Sequence, residues 1–355
     1  MIKLSLSKYN LHIVIFSSTL TIFTIISGRI LDMITVFVLV FSLFVTIYIV
    51  PKMSTYESFL YVLSIAAASV AVVGILPLFT GEFNVGVFHV RFHDGTPITI
   101  PMTDLTVSKI RSVFGNPNGF AHFVAPGSLA AYILYLQHKD KKYILLFLCS
   151  SLGLLLSGSR AGQMFLLIGT GITTLAILMR KIGKTLPLNH IIKMVFWGIL
   201  SVLLVFFVAG TEVSRVIPID LTGRLYLWNA TVEVIKTNPI VGIGYGINNP
   251  GDEIAHLVPD HLQGLSPHNS YLRISLQAGV IGGLSYILFQ YHIVKSVDID
   301  KDRLKITSMV SFALAFAVTQ MFEVYSLIGY APHSIIAALV IGYCLKNTTD
   351  SSTVT

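Results

Sequence analysis

Ten apolar runs, each about as long as a bilayer-spanning helix, constrain the fold of this chain more than any other feature of its sequence. Hydrocarbon offers no partner to backbone polar groups, so a segment that crosses it must satisfy them internally as a helix. The composition agrees, because 54% of the 355 residues are hydrophobic and only 12% are charged. The sequence predicts an all-α integral membrane protein with about ten transmembrane helices in a single polytopic domain, 1–355. The predicted runs are 11–28, 31–50, 58–79, 119–136, 143–158, 163–179, 191–209, 271–293, 306–325 and 327–345.

Lysine and arginine residues divide unevenly between the alternate connections of these runs. Most of the 24 fall on one side if the N-terminus is inside the cell, and cytoplasmic loops carry such an excess. The sequence therefore predicts a multi-pass protein of the cytoplasmic (inner) membrane, surrounded by lipids, with both termini in the cytoplasm. This orientation places two long loops on the outer side of the membrane, residues 80–118 and 210–270. The basic residues form no patch interleaved with aromatics, which excludes nucleic acid as a partner.

Each long outer loop carries a pattern that predicts ordered structure. In the first loop, the alternating stretch VGVFHVRFH, residues 85–93, is typical of a β-hairpin. In the second loop, apolar residues at helical spacing predict an amphipathic helix on the membrane surface, which Asn238 and Pro239 end. The predicted apolar face consists of Leu225, Leu227, Trp228, Val232 and Ile235.

Two arginines stand out by position. Arg160 interrupts the apolar stretch LLLSGSRAGQMFLL, residues 154–167, and an arginine this close to hydrocarbon costs a few kcal/mol unless it snorkels or pairs. Arg224 lies in the first turn of the amphipathic helix, where a cation opposes the helix dipole unless an anion is near. Arg224 therefore indicates an anionic ligand, although a solvated surface arginine fits the same position.

A third candidate lies in SPHNSYLRISLQAGVIGG, residues 266–283. Pro267 ends the preceding loop, and Asn269 or Ser270 is placed to cap a helix that follows. His268 then lies at the mouth of that helix, where its imidazole suits a proton acceptor for a substrate that is part sugar and part lipid. A simple polar role at the helix start is the alternative.

The chemistry of these three residues is complementary. Two guanidinium groups, on Arg160 and Arg224, can grip a diphosphate bidentately, and the His268 imidazole can take a proton from an attacking hydroxyl. Together they predict glycosyl transfer from a lipid diphosphate, with the arginines stabilising the charge that develops on the leaving group.

The blocks that carry these residues resemble, in order, the signature blocks of the O-antigen ligase and polysaccharide polymerase superfamily. They are SGSRAG (157–162), TGRLYLWNATVEVIKTNPIVGIGYG (222–246) and PHNSYLRISLQAGVIGG (267–283), and GNPNGFA (115–121) is similar to a further block. The resemblance implies an inverting membrane glycosyltransferase that needs no metal or other cofactor. Its donor would be a glycan linked to polyprenyl (undecaprenyl) diphosphate, and its acceptor a glycan or lipid-glycan. Arg160 and Arg224 would bind the diphosphate and His268 would act as base, with Asn118, Tyr245, Asn269 and Glu323 in supporting roles.

Several alternatives stay open. Nothing in the motifs distinguishes a polymerase from a ligase, since the two share a donor and differ in the acceptor. A lipid-glycan flippase or transporter would need ionisable residues inside the spans; the exceptions here, Asp32, Glu57 and Glu323, lie near predicted helix ends. A metallohydrolase built from histidines and an aspartate of the second outer loop matches no trusted zinc spacing. Its ligands would be His256, Asp260, His261 and His268.

Overall fold

The structure, a computed structural model, describes most of the chain. The described residues are 8–26, 30–93, 97–99, 106–209, 223–244, 249–298 and 303–349. Tyr245 and parts of both predicted outer loops lie outside these ranges.

Helices cover most of each predicted apolar run. The helix of the second run continues past residue 50 to Met53, through a short π-helical stretch, Val45–Ile49. Among the described residues, six helices are long and apolar enough to cross a membrane, which confirms a helical membrane protein. The count of ten spans stays a prediction. The helices are α1 (Lys8–Ile26), α2 (Ile30–Phe44), α3 (Val50–Met53), α4 (Tyr56–Ile75), α5 (Pro77–Thr80), α6 (Pro117–His138), α7 (Lys141–Ser157), α8 (Arg160–Lys181), α9 (Leu188–Ala209), α10 (Arg224–Thr237), α11 (Pro250–Ile254), α12 (Ser270–Lys295), α13 (Arg303–Thr319) and α14 (Pro332–Thr349).

Two compact units make up the chain, and each is assembled from separate segments. Unit 1 comprises residues 1–49, 187–298 and 320–355. Unit 2 comprises residues 50–186 and 299–319.

In unit 2, small residues let α4, α6 and α7 approach one another closely. A methyl group added at Gly127 of α6 would overlap Ala67 of α4, and one added at Gly153 of α7 would overlap Ala71. Close backbone approach through small residues is a common way for membrane helices to associate. The predicted hairpin is present beside this bundle, with β1 (Phe83–Val85) antiparallel to β2 (Phe88–Val90). A second short pair joins β3 (Ile98–Thr99) to β4 (Thr106–Val107).

In unit 1, the predicted amphipathic helix is α10, and the residues of its apolar face are all buried. That face packs against side chains of α9, α11 and α12, among them Phe206, Ile254 and Leu276. Close packing against protein therefore accounts for the apolar face, and the position of the helix at the membrane surface stays a prediction. The helix ends at Thr237 and Asn238 is its C-cap, as predicted.

Helix α12 is broken near its middle, whereas the hydropathy pattern predicts one straight span. Gly279 has φ +67°, which glycine adopts without strain, and a side chain there would collide with the carbonyl of Ile240. The chain after α10 fills the break, since the Val280 amide donates to the Pro239 carbonyl at 2.8 Å and the Ile243 amide donates to the Leu276 carbonyl at 2.9 Å. The first half of α12 therefore lies alongside α10.

Helix α13 ends earlier, and helix α14 begins later, than the apolar runs predict. Helix α13 ends at Thr319 and α14 begins at Pro332, so residues 320–331 leave the helical path. Side chains of α12 supply hydrogen bonds to this segment: the Tyr325 amide donates to the Ser270 hydroxyl, and the Leu327 amide donates to the Tyr286 hydroxyl. Non-helical backbone is tolerated at membrane depth where protein satisfies it in this way.

Candidate functional site

His268 lies immediately before α12 in an unusual backbone conformation. Asn269 caps the helix, its side-chain oxygen accepting from the amides of Tyr271 and Leu272 at 3.0 and 3.1 Å. The structure thus assigns the cap to Asn269, one of the two residues predicted for it. His268 has φ +49°, a left-handed value that few residues other than glycine adopt and that clusters at functional sites.

The loop that carries His268 is attached to α10 by a buried hydrogen bond. The Trp228 indole Nε1 donates to the Pro267 carbonyl at 2.8 Å. Trp228 is itself packed edge-on against Phe206, with ring centroids 5.1 Å apart. The apolar face of α10 therefore fixes both Arg224 at its first residue and the residue that precedes His268.

Glu323, which belongs to the non-helical segment 320–331, also lies next to His268. Ser270 is the link, because its hydroxyl donates to the Glu323 carbonyl at 2.9 Å and its amide donates to the Gln320 carbonyl at 2.8 Å. A further buried chain of hydrogen bonds holds Gln320, which accepts from the Tyr286 hydroxyl at 2.6 Å and donates to Gln290 at 2.9 Å. Such a network makes the position of Glu323 specific.

The Glu323 carboxylate bridges Arg224 and His268. Arg224 Nη2 donates to Glu323 Oε1 at 2.7 Å, and His268 Nδ1 lies 3.1 Å from Glu323 Oε2. The carboxylate is only 4% exposed, whereas the side chains of Arg224 and His268 are 21% and 34% exposed. The buried anion therefore holds two residues that can still reach a ligand.

This geometry sets the chemistry of the imidazole. An ionised carboxylate only accepts hydrogen bonds, so His268 Nδ1 carries the hydrogen and donates it to Glu323. The second ring nitrogen, Nε2, then carries the lone pair of a neutral imidazole. A carboxylate that holds one ring nitrogen while the other acts as base is the arrangement that orients a general base.

The anion that the position of Arg224 indicated is present within the protein itself. It is Glu323, which the sequence placed near a helix end and in a supporting role. Its direct contact with both Arg224 and His268 was not predicted, and the signal that could have found it is an acidic residue inside an apolar run.

Arg160 lies in unit 2 as the first residue of α8. Gly158 ends α7 in a left-handed conformation and Ser159 caps α8, so the turn between the two helices is shorter than the polar interruption suggested. The Arg160 side chain is exposed, and it has no hydrogen-bond or ion-pair partner within the described part of the chain. Its place beside Arg224 and His268 stays a prediction.

Of the other supporting residues, one lies at a helix start and one falls outside the described ranges. Asn118 lies in the first turn of α6, which Asn116 caps by accepting from the Gly119 amide at 2.7 Å. Tyr245 lies outside the described residues. In the described ranges, no group of three or more His, Cys, Asp or Glu side chains could hold a metal ion, so the metallohydrolase alternative gains no support.

Long apolar helices and a buried acid that bridges a histidine and an arginine define a multi-pass membrane protein with a candidate acid–base site. Residues 145–287 match the model of the family described as O-antigen ligase, which confirms the resemblance predicted from the sequence blocks. No curated protein matches the chain at a significant level. The matched segment contains Arg160, Arg224 and His268, and it supports a membrane ligase or polymerase type of enzyme that uses lipid-linked glycan and an acceptor.

Proposed function

We propose that this protein is a membrane glycosyltransferase that transfers or polymerises glycan from a polyprenyl-diphosphate donor at the outer face of the cytoplasmic membrane. The observation that carries the proposal is the bridge from Arg224 through Glu323 to His268, inside a chain that matches the O-antigen ligase family. It places a candidate base beside a cation that can bind an anionic leaving group.

In the proposed reaction, a hydroxyl of the acceptor attacks the anomeric carbon of the donor sugar. A bond forms between the acceptor oxygen and that carbon, while the bond from the carbon to the diphosphate oxygen breaks. His268 Nε2 takes the hydroxyl proton, and the lipid diphosphate leaves with the electron pair. A single displacement of this kind inverts the configuration of the anomeric carbon.

Glu323 has two roles in this scheme. It holds the His268 ring in the tautomer that leaves Nε2 basic, and its negative charge stabilises the imidazolium that forms on proton transfer. It also orients the Arg224 guanidinium. Because a guanidinium has five N–H donors and the bond to Glu323 uses one on Nη2, the others remain for phosphate oxygens.

Arg160 is proposed as the second ligand of the diphosphate. Its guanidinium, at the first turn of α8, is exposed and can therefore be reached by an external anion. Two arginines would neutralise the charge that develops on the leaving group, and that charge is where electrostatic catalysis acts most strongly.

Reconstitution in detergent micelles tests the function. Purified protein is given a polyprenyl-diphosphate-linked oligosaccharide and candidate acceptors, and products are separated on a gel. A new glycosidic product is expected, as a ladder for a polymerase or a single shifted band for a ligase. A flippase or transporter needs two compartments and would leave the donor unchanged in micelles, so an unchanged donor would contradict the proposal.

Cysteine labelling tests the proposed location. In a background that lacks Cys149 and Cys344, single cysteines at Arg160 and Ala255 should react with an impermeant reagent in intact cells. Lys184→Cys is the control and should react only after permeabilisation, because its segment is predicted to be cytoplasmic. Labelling at Ala255 in intact cells but at Arg160 only after permeabilisation would place the two residues on opposite faces and refute the shared site.

A further inference from the structure

One side of the hairpin formed by β1 and β2 is apolar along its whole length. Alternate residues of a strand point to the same side of a sheet, and directly opposed residues share a side. The side chains that share the apolar side are Phe83, Val85, Phe88 and Val90. The pair between them, Asn84 with His89, lies on the other side, where His89 Nε2 is 3.8 Å from a carboxylate oxygen of Glu82. The hairpin therefore has one apolar and one polar side.

The protein covers the base of the apolar side and leaves its tip exposed. At the base, Val90 is fully buried. At the tip, Val85 and Phe88 are 46% and 54% exposed, and Val87 in the turn is 94% exposed. Single exposed apolar residues are common on any protein, whereas adjoining ones indicate a surface that meets an apolar partner. The hairpin tip, residues 85–88, is such a surface.

The hairpin directly follows a helix that can cross a membrane. Helix α4 continues into α5, and together they form an apolar helix of 25 residues, Tyr56–Thr80. At 1.5 Å per residue this helix is about 38 Å long, which exceeds the hydrocarbon thickness of about 30 Å. Val72, Leu76 and Phe79 are exposed and spaced by one helical turn, so they form an apolar stripe on the side of the helix that faces lipid. The stripe ends four residues before β1 begins at Phe83.

The base of the hairpin is bonded to the end of α7, which packs beside α4 in unit 2. Phe92 follows β2 and pairs with Ile110, and the Ile110 amide donates to the carbonyl of Leu156 in the last turn of α7, at 3.1 Å. The Phe92 amide also donates to the Glu82 carboxylate, just before β1, at 3.0 Å. Both strands are therefore fixed at the end of the bundle where α4 and α7 finish, which is the membrane boundary.

We propose that the hairpin tip inserts into the lipid bilayer beside α4. Lipid fits the tip because its apolar surface adjoins the lipid-facing stripe that ends at Phe79. A charged side chain is costly in hydrocarbon, and residues 83–90 contain no Asp, Glu, Lys or Arg. Charged residues begin immediately outside this range, at Glu82 and Arg91, where the chain leaves the apolar region.

The backbone of the hairpin limits the depth of insertion. In the described part of the chain this sheet has two strands, so each strand has an outer edge of N–H and C=O groups that the sheet does not pair. Hydrocarbon does not tolerate such groups, so only the tip enters it, and the edges and the polar side stay among headgroups and water. Interfacial amphipathic helices bury their apolar face about 5–10 Å into the boundary, and we expect the same depth for Val87.

Quenching by spin-labelled lipids measures this depth. Val87→Cys is made in a background that lacks Cys149 and Cys344, labelled with the fluorophore NBD, and reconstituted in vesicles of phosphatidylcholine and phosphatidylglycerol. The vesicles contain lipid that carries a nitroxide either near the headgroup (shallow) or near the middle of the acyl chain (deep). We expect blue-shifted NBD emission and stronger quenching by the shallow nitroxide than by the deep one.

Two further single cysteines in unit 2 are the controls. Ser69→Cys, at an exposed position near the middle of α4, should be quenched more by the deep nitroxide. Asn84→Cys, at an exposed position on the polar side of the hairpin, should be quenched by iodide in the water and less than the Val87 probe by either lipid. Each variant is used only if gel filtration shows folded protein.

Iodide on both sides of the vesicle membrane completes the test. Quenching of the Val87 probe by iodide, with none by either nitroxide lipid, would place the tip in water and refute the insertion. Quenching by neither iodide nor lipid would show that protein covers the tip, either another part of the chain or a second copy, and would refute it too. Stronger quenching by the deep nitroxide, as at Ser69, would contradict the shallow depth that the unpaired edges require.

Discussion

Replacement of Glu323 by glutamine changes the charge and the number of acceptor atoms at the bridge while hardly changing the volume. Glu323 accepts from Arg224 through one carboxylate oxygen and from His268 through the other. A glutamine side chain has one oxygen and an amino group that only donates. Glu323→Gln must therefore lose one of the two hydrogen bonds, and either loss harms the proposed reaction.

The expected size of the effect follows from the bond that is lost. A hydrogen bond to a charged group contributes about 1.5–3 kcal/mol. Since about 1.4 kcal/mol corresponds to a factor of ten in rate, Glu323→Gln should slow transfer by about 10-fold to 100-fold. Removal of the base itself costs about 100-fold to 10,000-fold, so His268→Ala should be the more damaging change.

Initial rates of transfer in micelles give the measurement, with melting temperatures to show that each variant is folded. Glu233→Gln is the control, because Glu233 forms an exposed ion pair with Lys236 on the outer side of α10. Exposed pairs contribute little, so this variant should keep the wild-type rate. A Glu323→Gln protein as active as the Glu233→Gln protein would refute the bridge as a part of the catalytic machinery.

Three further changes test the parts that hold the site. Arg224→Lys keeps the charge but loses the fork that grips two oxygens, so its transfer rate should fall nearly as far as that of Arg224→Ala; full activity would leave Arg224 a surface charge. Trp228→Phe leaves the Pro267 carbonyl unpaired and should cost about 1–3 kcal/mol of stability, measured as a lower melting temperature; an unchanged melting temperature would contradict this. Gly279→Ala should prevent recovery of folded protein in gel filtration, whereas Gly171→Ala, which meets open space, should be recovered normally. Equal recovery of the two glycine variants would show that the break in α12 is not required.

The sequence was informative where a local pattern decides the structure. Hydropathy found the helices, helical spacing found the buried face of α10, and the preference of asparagine for helix caps found Asn269. In each case the physical cause lies within a few residues of the element itself.

Features that depend on distant partners could not be predicted. Ser270 and Glu323 are 53 residues apart, and their hydrogen bond helps to hold a non-helical segment whose apolar composition looks like a helix. The break at Gly279 likewise depends on the chain after α10, which fills it. The bridge through Glu323 combines both effects, because it needs the non-helical segment and the cap at Asn269 together. Hydropathy indicates which segments are buried. It does not indicate which side chain forms the hydrogen bonds that a buried, non-helical backbone needs.

The rate of His268→Asn in a single turnover tests the proposed mechanism most directly. Asparagine tolerates the left-handed backbone of His268, at φ +49°, so the fold should be retained while the basic nitrogen is lost. Binding of the polyprenyl-diphosphate donor is measured on the same protein and should be unchanged, because Arg224 and Arg160 remain. With donor binding retained, we expect transfer to fall by about 100-fold to 10,000-fold. Transfer at the wild-type rate in His268→Asn would contradict the assignment of His268 as the base.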